Sequence, residues 1–139
     1  MREHRDVAYS RGMRRPEDWL HFVHFPWFVA RWHDLGFDDD DLRALEVLIM
    51  ADPKKGPVIP GTGGIRKLRF ARWDNNRGRS GGARICYAWL PEFDVVALWA
   101  VYTKDEQDNI TPKQRAALQQ GMSRFKLWLA TGGPASRST

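Results

Sequence analysis

Lys67, Arg69 and Arg84 are the residues whose types and spacing best suit chemistry. They lie in the stretch Gly61 to Arg84, which holds seven basic residues (Arg66, Lys67, Arg69, Arg72, Arg77, Arg79 and Arg84) and one acid, Asp74. Two apolar-basic segments, Ile65 to Phe70 and Ala83 to Tyr87, flank a turn rich in Gly and Asn, which is the pattern of a β-hairpin. Side chains alternate faces along a strand. Ile65, Lys67 and Arg69 therefore share one face, and Arg66, Leu68 and Phe70 the other. In the second strand Ala83, Ile85, Tyr87 and Trp89 form one row, and Arg84, Cys86 and Ala88 the other. If the bulky row is the buried one, Arg84 joins Lys67 and Arg69. Three fixed cations on the open face of a sheet would make a phosphate site. Basic residues on the solvent face of a hairpin also serve solubility, so the stripe is an electrostatic footprint and not yet a mechanism.

Other chemistries fit less well. Asp38 to Asp41 are four consecutive aspartates, but consecutive positions on a helix do not share a face and cannot converge on one ion. Helix capping explains them better. His21 and His24 face opposite sides of a strand, and His33 has no partner at ligand spacing, so no metal site is expected. Gly61-Thr62-Gly63-Gly64 lacks the Gly-Lys-Ser/Thr ending of a P-loop, and a strand follows where that motif needs a helix. It reads as backbone freedom where the strand begins. Cys86 is the single cysteine, in an apolar strand, and reads as a buried inert thiol. No cofactor is expected.

Elements must position the cationic stripe, and the chain supplies them in the order β-α-α-β-β-β-α. Trp19 to Phe25 reads as a strand. Pro26 opens a helix that stops near Gly36. A second helix starts at Asp38, shows Leu42, Leu45, Leu48 and Ile49 at helical spacing, and ends at Ala51-Asp52-Pro53. After the basic hairpin and a turn at Pro91 to Asp94, Val95 to Thr103 reads as a central strand. Thr111-Pro112-Lys113-Gln114 is a capping box opening a last helix, whose stripe is Leu118, Met122, Phe125 and Leu129. The expected fold class is α+β: a small antiparallel four-stranded sheet with helices packed on one side. Residues 1–17 read as a flexible basic extension, 18–130 as the domain, and 131–139 as a disordered tail.

The 139 residues suffice for one domain, and 42% hydrophobic and 12% aromatic content argue against disorder. A formal charge of +5 makes an anionic partner reasonable. No stretch approaches the roughly 20 apolar residues of a membrane span, and the polar, basic N-terminus lacks a secretory apolar run. With its lone cysteine, the chain is expected in a reducing cytoplasm.

Three blocks carry a family resemblance. The run from Ala51-Asp52-Pro53-Lys54 through Val58-Ile59-Pro60 to Gly61–Arg69, the run Arg79 to Tyr87, and Tyr102 to Glu106 followed by Ile110-Thr111-Pro112 together resemble toxins of the RelE/ParE superfamily, in particular its HigB-like branch. The resemblance spans roughly residues 20–130 and agrees with the fold expected above. It implies a type II toxin-antitoxin toxin: a ribosome-dependent mRNA endoribonuclease that inhibits translation. The implied partners are mRNA, the ribosome and its rRNA, and an antitoxin with a helix-turn-helix DNA-binding fold. Operator DNA would be met only through that complex, and no membrane is implied. A ParE-like gyrase-directed toxin without nuclease activity, or a non-enzymatic antitoxin-binding corepressor, are the alternatives.

Carried over by position, Lys67 and Arg69 match the paired basic residues of the family's second strand, Arg84 the one opening the third, and Lys104 the one after the fourth. The family's C-terminal catalytic tyrosine has no clear counterpart after Lys104. Metal-free RNA cleavage needs a base for the 2′-OH, cations for the charge on phosphorus and an acid for the leaving oxygen. Lys67, crowded by Arg66 and Arg84, is the candidate base. Arg69 and Arg84 would hold the phosphate, and Lys104 would assist the leaving group. Arg66, Arg72, Arg77 and Arg79 are candidate RNA contacts, as is Tyr102 by stacking. Tyr87 suits core packing better.

Overall fold

The computed structural model describes residues 20–71, 82–103 and 109–133. Within them run β1 (His21–His24), α1 (Pro26–Asp34), α2 (Asp39–Ala51), β2 (Ile65–Phe70), β3 (Ala83–Leu90), a 3-10 turn (Pro91–Phe93), β4 (Val95–Thr103) and α3 (Pro112–Ala130). The expected element order holds. The extension at residues 1–17, residues 134–139 of the tail, Trp19, Arg72, Arg77, Arg79 and Lys104 lie outside the described residues.

Local chemistry accounts for the helix starts. Asp38 accepts from the Asp41 amide at 2.8 Å while Asp41 accepts from the Asp38 amide at 2.8 Å, a reciprocal box that satisfies donors with no partner inside the helix. Thr111 and Gln114 close the same box on α3, with Pro112 in the first turn. Asp94, at φ 54°, closes the turn between β3 and β4.

The sheet order is β1-β4-β3-β2. The β2–β3 and β3–β4 pairs are antiparallel, the latter across the short turn Pro91 to Asp94, but β1 pairs with β4 in parallel, so the sheet is mixed and not wholly antiparallel. The reason is topological. Short turns dictate direction only for consecutive strands, whereas two helices and two strands separate β1 from β4.

Helices pack on both faces rather than on one side. On the first face Phe28 and Trp32 of α1 and Leu45 and Ile49 of α2 meet Leu68, Phe70, Ile85, Tyr87, Val96 and Leu98. On the second, Met122, Phe125 and Leu129 of α3 cover Ile65, Ala88, Leu90, Val95 and Ala97. The row Cys86, Ala88, Leu90 is itself apolar, so leaving it in water would forfeit burial worth about 25 cal/mol per Å². That is why α3 returns across the sheet.

The loop before β2 is built around three side chains. The Thr62 hydroxyl, fully buried, donates to the Ile59 carbonyl at 2.7 Å and accepts from the Ile65 amide at 3.0 Å. Gly63 and Gly64 turn with φ of 81° and 118° beneath Met122, which supports the reading of backbone freedom there. The Tyr87 hydroxyl donates to the Pro53 carbonyl at 2.8 Å and accepts from the Gly56 amide at 3.0 Å. Tyr87 is thus a core residue, its phenol pushed up by burial. Residues 57–59 then flank the outer edge of β2, through Ile59 N–H to the Ile65 carbonyl at 2.8 Å and Lys67 N–H to the Pro57 carbonyl at 3.1 Å. Replacing Tyr87 with Phe is expected to cost about 1–3 kcal/mol, because a buried amide loses its partner. A urea midpoint that fails to fall would refute this.

Candidate functional site

The register of the three antiparallel strands decides which cations meet. Arg69 lies directly opposite Arg84, and Arg84 directly opposite Tyr102. One row further in, Lys67 lies opposite Cys86, and Cys86 opposite Ala100. Arg69, Arg84 and Tyr102 therefore form a row on the face that α3 covers only in part, with Lys67 in the next row. Directly opposed side chains stand about 4.5–5.5 Å apart at Cβ, and like charges so placed destabilise a sheet. An anion between Arg69 and Arg84 would reverse the sign of that term. Arg69 is exposed, and Lys67 and Arg84 are half-buried.

Tyr102 reaches this row through an irregularity in β4. The pairing passes from Leu98 opposite Tyr87 to Ala100 opposite Cys86, so Trp99 is an extra residue, a β-bulge. Val96, Leu98 and Val101 face α1 and α2, whereas Trp99, Ala100 and Tyr102 face the α3 side. Without the bulge, strict alternation would turn Tyr102 to the opposite face. The Tyr102 hydroxyl is buried and has no hydrogen-bond partner among the described residues. Burial pushes its pKa up to about 12; the Cys86 charge adds to this, and Arg84 opposes it. The group is protonated at neutral pH and available as a donor. Burial likewise pushes the Cys86 thiol up to about 11, against the pull of Lys67. That thiol is the inert one expected.

Arg66 does not join the row. Strand alternation sends it to the other face, where its Nη1 donates to the Gly56 carbonyl at 2.8 Å and the Lys54 carbonyl at 3.3 Å. It ties down the same loop as Tyr87. The crowding of Lys67 expected from Arg66 is absent on that face, and its neighbours there are Arg69 and Arg84. Two histidines are engaged with acids: His24 bonds Glu46, and His33 bonds Asp39 at 3.2 Å. Trp27 is 54% and Trp128 40% exposed. No composition signal distinguishes these two from the others.

Among the described residues, no helix is long and apolar enough to cross a membrane. No protein-family model matches the chain. Among solved structures, the free state of a mutant of the E. coli toxin RelE is similar with a TM-score of 0.47 and 18% identity, over 65% of this chain and 88% of that chain.

Proposed function

We propose that this chain is a type II toxin of the HigB-like branch that cuts mRNA on the ribosome without a metal ion. The observation that carries the reading is the row Arg69, Arg84, Tyr102 with Lys67 beside it: two opposed guanidinium groups, a protonated hydroxyl donor and an amine on one sheet face. The three sequence blocks that resemble the RelE/ParE superfamily support the same reading. In this reading Lys67 takes the 2′-OH proton. The 2′ oxygen bonds to phosphorus, the P–O5′ bond breaks, and a 2′,3′-cyclic phosphate and a 5′-hydroxyl result. Arg69 and Arg84 hold the phosphate oxygens with bidentate, permanently charged groups. Lys104 serves the leaving oxygen, and Arg72, Arg77 and Arg79 grip rRNA through its backbone, with steep salt dependence. A helix-turn-helix antitoxin neutralises the protein, and the two act in the cytoplasm.

Mapping mRNA 5′ ends after induced expression in a bacterium tests this. Cuts in phase with codons are expected from the wild-type chain. Lys67→Ala should reduce them about 10²- to 10⁴-fold, the ordinary worth of a positioned base. Growth arrest with intact messages would move the reading to gyrase, and no arrest at all would leave a non-enzymatic corepressor.

A further inference from the structure

We propose that Trp27 and Trp128 form a pair of stacking platforms for the bases of single-stranded RNA, where α1 and α3 meet across Phe25 and Phe125. The proposal takes RNA as its ligand class from the function proposed above, and its test does not depend on cleavage.

Trp27 is more than half exposed, yet its indole is held in two ways. It stacks on Phe25 at 4.4 Å between ring centroids and 5° between planes, and its Nε1 donates to the Trp99 carbonyl at 2.7 Å. That carbonyl is within reach because β1 ends opposite Leu98, one residue short of the bulge. An exposed ring already fixed in orientation loses little freedom when another ring stacks on it. The contacts continue inward and out again. Phe25 meets Phe125 edge-on at 5.5 Å, and Phe125 meets Trp128 at 5.6 Å, so an exposed indole stands at each end of a four-ring ladder.

An arginine flanks each end. Arg31 follows Trp27 by four residues in α1, and Arg124 precedes Trp128 by four in α3. Residues four apart are neighbours on a helix surface, so each indole has a guanidinium beside it. Residues 109–133 contain no Asp or Glu. A flat aromatic face with an adjacent cation is how proteins hold single strands: the ring takes a base and the cation its phosphate. Trp99, edge-on to both Phe25 and Phe125 in the middle of the ladder, lies three residues from Tyr102, roughly 10 Å along the strand. A strand whose phosphate sits at Arg69 and Arg84 can therefore continue to the ladder.

Fluorescence anisotropy of the full chain with a labelled single-stranded RNA oligonucleotide, and with the same sequence as a duplex, tests the proposal. Trp27→Ala and Trp128→Ala should each weaken single-strand binding about fivefold or more. Duplex binding should not change, since its bases are already stacked. Trp27→Phe should restore single-strand binding although it cannot make the bond to Trp99. If Trp27→Ala fails to melt cooperatively, Trp128→Ala decides. Alanine variants that bind the single strand as the wild type does, or a Phe variant as weak as the Ala variant, would overturn the proposal. So would loss of poly-glutamate binding in place of RNA binding, which would mark a protein-docking surface. Trp-dependent binding in a chain that cuts no mRNA would refute only the nuclease reading.

Discussion

Arg84→Ala is expected to lower mRNA cutting about 10²- to 10³-fold, the usual loss when one donor to the developing charge is removed. Arg84 stands at the centre of the row, opposite Arg69 on one side and Tyr102 on the other. Any phosphate held by Arg69 lies within its reach. The fold should survive. The position is half-buried, and removing one of two opposed like charges offsets part of whatever contact is lost. A stability change within about 1 kcal/mol is expected. Arg84→Lys should recover only part of the activity, because an ammonium group cannot make the bidentate contact. The measurement is 5′-end mapping beside thermal melting. A folded Arg84→Ala protein that still cuts messages would remove Arg84 from the proposed site.

Trp32→Ala is expected to have the largest effect on stability. The side chain is fully buried in α1, stacked on Phe37 at 4.4 Å and on Phe28 at 5.7 Å, and tilted against Phe70 at 5.5 Å. Its Nε1 donates to the Asp38 carbonyl at 3.0 Å, at the cap of α2. Truncation should cost about 3–5 kcal/mol for the cavity, with a further contribution of about 1 kcal/mol from the lost bond. Against a total of about 5–15 kcal/mol, such a loss brings the chain near unfolding at physiological temperature. Trp32→Phe should be milder, since the ring contacts largely persist. Urea unfolding decides: the midpoint should fall with little change in slope. A midpoint within experimental scatter of wild type would mean the α1–α2 joint is held elsewhere.

Each element that depends on neighbours in sequence was legible before the structure. Pro112 after Thr111, with Gln114 three residues on, specifies a helix start because all partners of the box lie within one turn. Asp38 and Asp41 act as a cap for the same reason. Alternation along β2 was enough to put Lys67 and Arg69 together and to separate Arg66 from them. The burial of Leu68, Phe70, Ile85 and Tyr87 then brought Arg84 to the same face.

What the sequence determined by itself was therefore local: the order β-α-α-β-β-β-α, the capped helices and the two-residue period that groups the cations. Three features came only from the tertiary structure. Parallel pairing of β1 with β4 joins segments whose separation in sequence leaves their relative direction open. The cover that α3 gives the second face depends on where a long connection returns. The bulge at Trp99 is one unpaired residue inside an unbroken apolar run, so no period in Val95 to Thr103 announces it. It nevertheless decides the face of Tyr102, because a single extra residue reverses the alternation of all that follow.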